Sequence, residues 1–277
     1  NVLIERTVAY DHIGHGYFLE NAVETGNTFY YNLGLVTREP NPDEALLPTD
    51  LGPKQFQISG PGTYWITNPD NQLIGNVAGG SEDGSGFWYA LPPGPLNESR
   101  YDPQYAGVAP QRTSLGVFAD NRAHSNGIGL DLDGGPNVET DVAESSHYAP
   151  DQLADFARFT GFANTRNGVY YRGNGHIELT DSRLADNHID VMFAFNQKVR
   201  DTLLAGVTDN DFGGVTKHAF AVYDGPTHAE NVHFAGFNVP GADLFEVIGA
   251  ANRNTNHTFQ NVTFDAVTPV TFDDTGP

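Results

Sequence analysis

The sequence predicts an all-β protein that winds into a single-stranded parallel β-helix, a solenoid of about eight to nine coils with long loop insertions. A short run of β-forming residues, then an Asn, Asp or Gly turn, then a second short run beside a glycine recur along the whole chain. Self-similarity of this kind is typical of solenoids, in which each repeat packs only against its neighbours. A β-sandwich is the structural alternative.

The spacing of the repeat indicates the length of one coil. Between Val169 and Val270 the second run returns after 24, 27, 24 and 26 residues. This suits two or three short strands joined by tight turns, and the apolar residues lack the i, i+3, i+4, i+7 pattern of a helical solenoid. The chain holds 31 Gly and 17 Pro, as such turns require. We expect turn asparagines to hydrogen-bond the backbone of the next coil.

Three longer segments interrupt the repeat. Residues 38–62 and 91–113 are rich in proline, and residues 134–152 join two coils. In solenoids such insertions leave from one side and often wall a groove, although ordinary surface loops are the alternative. We predict a single domain over residues 1–277. The first residues already lie inside the repeat, so we expect a fragment of a larger secreted or surface protein.

Charge excludes one class of function. The net charge is −21, from 35 acidic and 14 basic residues, so nucleic-acid binding is excluded for want of a basic stripe. No apolar run reaches the ~18 residues of a membrane span. The chain has no cysteine for thiol catalysis. A high-salt environment or bound divalent cations would each explain the acidity. Oligomeric state is not encoded in any pattern that we recognise.

Several unusual motifs follow one another in order over most of residues 1–240. They include GHGYFLE at residues 14–20, NPDNQLIGN at 68–76, GFWY at 86–89 and NRAHSN at 121–126. In these motifs the chain resembles the β-helix region of the cell migration-inducing and hyaluronan-binding protein family, which includes the transmembrane cell-surface hyaluronidase. The resemblance implies a right-handed parallel β-helix with an activity or affinity directed at hyaluronan.

Side chains in or near these motifs are candidates for acid–base chemistry. A histidine titrates near neutrality, glycoside hydrolysis generally uses two carboxyl groups, and an arginine can pair with a uronate carboxylate. The predicted catalytic residues are His15, Glu20, Glu82, Arg122 and His124. Their alternative roles are turn hydrogen bonds for the histidines and ordinary ion pairs for the arginine. Catalysis predicts that all five converge on one groove, whereas a structural role predicts that they are dispersed.

The repeat also predicts which side chains become neighbours. The position four residues after the glycine of a second run is occupied by Glu20, Ala90, Asp133 and Arg172 in successive copies. If the registers hold, Asp133 and Arg172 lie about 5 Å apart in adjacent coils, and Glu20 lies about 14 Å from Asp133. The latter distance is too long for a pair of glycosidase carboxyls, unless the side chains converge.

Other residues are candidates for binding. Flat aromatic faces suit sugar rings, and amide or guanidinium groups suit sugar oxygens, so the predicted substrate-binding residues are Trp65, Trp88, Tyr89, Asn121, Asn126 and Arg172. Core packing is the alternative for the aromatic residues, and for Trp88 in particular. Asp131 and Asp133, beside two glycines, could chelate Ca²⁺ through their oxygens, with a solvated acidic turn as the alternative.

Two functions follow from these observations. The first is an extracellular or cell-surface carbohydrate-active β-helix that binds or depolymerises a uronate-containing, hyaluronan-like polysaccharide, by hydrolysis or by β-elimination. The second is a non-catalytic carbohydrate-binding or structural module of a larger surface protein. The expected partner is therefore a polysaccharide in both cases, and Ca²⁺ is the one cofactor considered.

Overall fold

The structure is a computed structural model that describes residues 1–51, 60–211, 213, 216–223, 225–247 and 256–268. The chain visits three parallel sheets in turn and pairs each strand with the strand one coil away, which is the topology of a parallel β-helix. The predicted fold class is confirmed. Within these ranges the loops contain four short 3₁₀ helices, at Pro48–Asp50, Asn97–Tyr101, Pro103–Tyr105 and Pro110–Arg112. Over the described ranges, no helix is long and apolar enough to cross a membrane.

Nine coils follow one another along the described chain, and we number them from the N-terminus. The first sheet contains Leu3–Glu5, Thr28–Tyr30, Gln72–Ile74, Val117–Ala119, Ala154–Ala157, Ile177–Thr180, Lys198–Arg200, His228–Glu230 and Thr258–Gln260. The second sheet contains Val8–Ile13, Leu33–Arg38, Val77–Gly79, Arg122–His124, Thr160–Phe162, Arg183–Ala185, Leu203–Ala205, His233–Phe237 and Thr263–Val267. The third sheet contains Tyr17–Phe18, Tyr64–Ile66, Ser85–Tyr89, Ile128–Asp131, Asn167–Tyr170, Ile189–Met192, Lys217–Val222 and Ala242–Val247.

The corner between the first and second sheets has the same form in every coil. Two residues join the strands, and the first of them has a positive φ, between 50° and 68°, in all nine coils. Asn, Asp and Gly tolerate this left-handed conformation best, and they occupy six of the nine positions. The nine residues are Arg6, Tyr31, Gly75, Asp120, Arg158, Asp181, Asp201, Asn231 and Asn261.

Buried asparagines link the coils at two corners. The backbone N–H of Asn76 donates to Oδ1 of Asn121 at 2.9 Å, and Nδ2 of Asn121 donates to the carbonyl of Leu73 at 2.8 Å. At the next corner, Oδ1 of Asn126 accepts from the backbone N–H of Ser81 at 3.0 Å. This is the role that the sequence predicts for turn asparagines. The amides of Asn121 and Asn126 are fully buried, so they have no surface to offer a substrate.

Aromatic residues stack along the core because like positions of successive coils lie about 4.8 Å apart. Tyr17, Tyr64 and Phe87 form one such column, with 4.6 Å between neighbouring ring centroids. Tyr89 points inward as well and packs edge-on against Phe118 and elsewhere in the core. Its burial fits core packing and leaves no ring face for a sugar.

The outer face of the third sheet is partly covered by the third predicted insertion. A strand pair, Asp133–Pro136 antiparallel to Ala143–His147, begins one residue before this insertion, and we call this element the hairpin. Ala143 of the hairpin packs against Trp65 and Trp88, and the indole N–H of Trp88 donates to the carbonyl of Asp133 at 3.0 Å. Both tryptophans are buried as a result, which is the packing alternative rather than the stacking platform.

Candidate functional site

The strand register brings together two of the residues that the repeat predicts to be neighbours. Leu130 pairs with Phe87 on one side and with Val169 on the other, so the glycines that precede these residues share one position. The side chains four residues further on then meet, and Nε of Arg172 donates to Oδ2 of Asp133 at 2.6 Å. The coil that holds Trp65 also lies between those of Gly16 and Gly86, so Glu20 and Asp133 are three coils apart.

Asp133 is held in its ionised form. Its side chain has no exposed surface, yet Oδ1 accepts from the backbone N–H of Gly134 at 2.9 Å and lies 2.9 Å from Nδ1 of His147. Burial acts to raise the pKa of Asp133, but the His147 ring and the Arg172 guanidinium outweigh burial and hold that pKa below its usual range.

Asp131, two residues earlier, is held in its protonated form. Its carboxyl is fully buried, and burial together with the charge of Asp133 raises its pKa to about 8. Oδ2 accepts from the hydroxyl of Ser85 at 3.1 Å, and Oδ1 accepts from the backbone N–H of Asp133 at 3.0 Å. One strand end therefore presents a neutral carboxyl beside a charged carboxylate at neutral pH.

Two further groups complete this arrangement. The guanidinium of Arg172 lies 5.4 Å from the centre of the Tyr170 ring. Burial, with the charge of Asp133, raises the pKa of the Tyr170 hydroxyl, which is buried without a hydrogen-bond partner among the described residues. We call Asp131, Asp133, His147, Tyr170 and Arg172 the carboxylate centre.

The oxygens that we predicted as calcium ligands already have protein partners. Both carboxyls accept hydrogen bonds from backbone N–H groups, and a guanidinium takes the remaining oxygen of Asp133. In the part of the chain that the structure describes, no group of three or more His, Cys, Asp or Glu side chains is placed to hold a metal ion. The residues present therefore do not fit the calcium site that the sequence suggests.

His15 anchors a loop and does not titrate near neutrality. Its Nδ1 accepts from the backbone N–H of Gly62 at 3.0 Å, its Nε2 lies 3.1 Å from the hydroxyl of Thr49, and its ring stacks on Trp65 at 4.0 Å. Burial lowers the pKa of His15 to about 3, so the ring is neutral at physiological pH. A ring with both nitrogens engaged is a poor general base or acid.

Glu20 lies in an open groove on the first coils. A cavity of about 730 Å³ separates Phe18 and Glu20 from the 38–51 segment, and Leu96 and Asn97 of the 91–113 segment border the same two residues. We call this cavity the coil-1 groove. The 38–51 segment borders the groove and His15 lines it, whereas Leu96 and Asn97 border a small neighbouring pocket that shares Phe18 and Glu20 with it.

The other predicted catalytic residues lie elsewhere. Glu82 is exposed in the turn between the second and third sheets. Arg122 borders a depression of about 690 Å³ on the second sheet, and His124 stacks on Phe162 on the outer face of that sheet, with 4.8 Å between ring centroids. Burial lowers the pKa of His124. The five candidates do not converge on the coil-1 groove: His15 and Glu20 line it, and Glu82, Arg122 and His124 do not.

Sequence reasoning missed three residues around the two aspartates. Tyr170 pairs with Asp131 across the register, so the outward position of Asp131 gives a signal for it. Ser85 pairs with Ile128 and contacts Asp131 through its hydroxyl, but it lies two residues before the inward Phe87, so strict alternation would have placed it in the core. His147 arrives from the hairpin, which lies outside the repeat. No register argument places a residue of an insertion.

Comparison with known proteins confirms the resemblance. Residues 1–130 match the family model described as the CEMIP beta-helix. The human cell surface hyaluronidase CEMIP2 is 30% identical over 326 aligned residues, which cover 92% of this chain and 23% of that protein. The mouse cell migration-inducing and hyaluronan-binding protein is 28% identical, covering 99% of this chain and 24% of that protein.

A second kind of relative matches less of the chain. Human fibrocystin-L is 35% identical over 128 residues, or 46% of this chain and 3% of that protein. The chain spans about a quarter of the length of the hyaluronan-related relatives. The carboxylate centre begins at Asp131, just beyond the residues that the family model covers.

Proposed function

We propose, from the β-helix shared with hyaluronan-related relatives, that this chain acts on a uronate-containing, hyaluronan-like polysaccharide as part of an extracellular or cell-surface protein. We place the reaction at the carboxylate centre and propose that it is hydrolysis. The observation that carries this proposal is the pair Asp131 and Asp133 at one strand end, where the first carboxyl is protonated and the second is ionised. In many glycosidases, two carboxyls with different pKa values serve as the general acid and as the base or nucleophile.

The two carboxyls have distinct tasks in such a reaction. Asp131, still protonated at neutral pH, gives its proton to the glycosidic oxygen as the bond to the anomeric carbon breaks. Asp133, ionised, acts once His147 has left its Oδ1: it takes a proton from the water whose oxygen bonds to the anomeric carbon, or it bonds to that carbon first and is then displaced by water. The hydroxyl of Ser85 donates to Asp131 at 3.1 Å and fixes the orientation of its carboxyl.

Arg172 supplies charge for a uronate. A guanidinium pairs with a carboxylate through two parallel hydrogen bonds, and Arg172 uses its Nε on Asp133. Its remaining N–H groups are suited to a substrate carboxylate, and about a fifth of its side chain is exposed (19%). An acidic polymer thereby finds a local cation on a chain of net charge −21.

Burial of the centre favours a second candidate, a non-catalytic binding module. Neither Asp131 nor Asp133 has exposed surface, so a sugar reaches them only after the residues that cover them move, and the partly exposed His147 side chain is one of those next to Asp133. If the hairpin never opens, Asp133 and Arg172 are a structural ion pair, and the polymer is bound on the surface only.

The test is an incubation of the purified chain with hyaluronan, chondroitin, pectate and alginate, with and without Ca²⁺. We expect shorter hyaluronan chains by size analysis without the absorbance of unsaturated uronates, since hydrolysis creates no double bond. Asp131→Asn keeps a neutral side chain of the same shape but removes the proton donor, so we expect at least a ~10²-fold lower rate. Asp120→Asn, at an exposed aspartate outside the centre, is the matched control.

Three outcomes would change the conclusion. Unsaturated products would replace hydrolysis by β-elimination. Equal rates for Asp131→Asn and Asp120→Asn would remove the reaction from the carboxylate centre. Binding of hyaluronan without cleavage of any of the four polymers would establish the binding-module candidate.

A further inference from the structure

We propose that the coil-1 groove is a subsite for the neutral N-acetylhexosamine unit of the polymer, distinct from the uronate contact at Arg172. This inference rests on the proposed function, because it assigns one sugar of an alternating acidic polymer to each location. It also predicts a binding preference that cleavage does not report.

The wall of the groove is apolar and includes an aromatic ring. Ile13, Phe18 and Leu47 line it, and 38% of Phe18 is exposed. The ring of Phe18 is held by stacking towards His15, with 5.8 Å between centroids. A flat ring of this kind packs against the C–H face of a sugar, and the aliphatic side chains suit an acetyl methyl group.

The charge of the groove selects a neutral sugar. Glu20 and Glu44 line it, and none of the described residues that border it is a lysine or an arginine. A uronate there would meet two carboxylates without a compensating cation, which is unfavourable. Sugar hydroxyls and an amide N–H are donors that suit the carboxylate oxygens of Glu20 and Oε1 of Glu44, since Oε2 of Glu44 already accepts from Asn41 at 2.7 Å.

Asp50, a third acid in the groove, has its oxygens committed to the protein. Its Oδ1 accepts from the backbone N–H of His15 at 3.1 Å, and its Oδ2 accepts from the backbone N–H of Leu47 at 3.0 Å. The bond from His15 holds the 38–51 segment against the first coil, and the bond from Leu47 orders the segment itself. The wall of the groove is therefore built before any ligand arrives.

The hairpin separates the groove from the carboxylate centre. Asp133 forms its base at the centre, and Asp141 near its tip lines the small pocket that adjoins the groove at Phe18 and Glu20. The backbones of Glu20 and Asp133 are three coils apart, about 14 Å. One side of the molecule thus offers an acidic, apolar cavity at one end of the hairpin and a guanidinium at the other, which matches a polymer of alternating neutral and acidic sugars.

The experiment compares Phe18→Ala with Phe162→Ala, which is a close control. Each phenylalanine is 38% exposed and lies stacked beside a histidine, but Phe162 lies on the second sheet. Binding is measured by calorimetry with three probes: hyaluronan, chitin oligosaccharides of N-acetylglucosamine only, and pectate, which is uronate only. We expect Phe18→Ala to weaken binding of the first two roughly five- to tenfold and of pectate not at all, and Phe162→Ala to change nothing.

A second variant tests charge without removing packing. Glu20 is exposed, so Glu20→Lys should fold normally, and we expect it to strengthen pectate binding and to weaken binding of chitin oligosaccharides. Equal affinities of Phe18→Ala and Phe162→Ala for chitin oligosaccharides would overturn the subsite. Chitin-oligosaccharide binding that depends on Phe18 would support it even if no polymer is cleaved, so the two proposals fail separately.

Discussion

Two aspartate–arginine pairs bridge the same two coils, the fourth and fifth, in opposite environments. Nε of Arg172 lies 2.6 Å from Asp133 on the third sheet, and Nε of Arg158 lies 2.8 Å from Asp120 at the two-residue corner. The first pair has side chains 19% and 0% exposed, and the second has 51% and 46%. Hydrogen bonding to the arginine lowers the pKa of Asp120 and helps to lower that of Asp133.

The difference between these two pairs shows that the repeat by itself supplies an exposed ion pair, whereas burial of the other pair comes from an inserted segment. Adjacent coils place equivalent positions side by side, so an acidic and a basic residue on the surface can pair without any additional element. Asp133 is buried where the hairpin begins. Burial of Asp131 and the nearby charge of Asp133 together keep the carboxyl of Asp131 protonated. The chemistry of the third sheet therefore arises from an insertion, laid on a repeat that is otherwise structural.

The largest expected effect is the loss of the buried negative charge. Asp133→Asn leaves Arg172 without its anion in a poorly solvated position, and breaking a buried pair typically costs about 3–5 kcal/mol. The free energy of unfolding from urea titration should fall by that order. A fall no larger than that of Asp120→Asn would show that the two environments are energetically alike, contrary to the comparison.

The second effect is on the pH dependence of stability. The pKa of Asp131 is about 8 in the folded chain and about 4 in the unfolded chain. Between these pH values the folded chain therefore holds a proton on Asp131 that the unfolded chain has lost. The stability from this group is complete below about pH 4 and is lost as pH rises through about 8. Asp131→Asn has no proton to lose at this position. Its free energy of unfolding should therefore rise relative to that of the wild type between pH 4 and pH 8.

The size of this gain is bounded by the shift, since each pKa unit corresponds to roughly 1.4 kcal/mol. We expect a relative gain of a few kcal/mol in urea unfolding at the two pH values. Asp120→Asn, measured in parallel, should show no such gain. Parallel curves for the wild type and Asp131→Asn would mean that Asp131 is ionised throughout.

The smallest effect is expected at the exposed pair. A double-mutant cycle of Asp120→Asn and Arg158→Gln should give a coupling of about 0.2–1 kcal/mol, and less in high salt, because exposed pairs are screened. The same cycle on Asp133 and Arg172 should give a coupling that is larger and insensitive to salt. Similar values for both cycles would remove the distinction between the two pairs.

The sequence predicts the fold and one contact of the site for the same reason. Glycine spacing sets the register, and the register alone brings Arg172 next to Asp133 across 39 residues. The register does not predict the position of His147, because the hairpin that carries this residue is an antiparallel strand pair outside the repeat. It also cannot say which outward positions are covered, so Trp65 and Trp88 look like platforms until the hairpin is seen.

The same limit applies to the most distinctive motif, residues 121–126. Its two asparagines are buried in ladders that hold coils together, and Arg122 and His124 point outward on the second sheet, remote from the two aspartates. An unusual motif in a repeat can consist of residues that stabilise a corner between strands as well as of residues that take part in a reaction. Only the side-chain environment separates the two, and that environment depends on segments outside the repeat.

The nine two-residue corners have a consequence for how such a protein can be remodelled. Because that edge never varies in length, it works as a fixed spine, and all growth is confined to the other two edges. Engineers could therefore graft, shorten or exchange the walls around the third sheet while the spine preserves alignment. A single residue inserted at the spine, by contrast, should throw every later rung out of step.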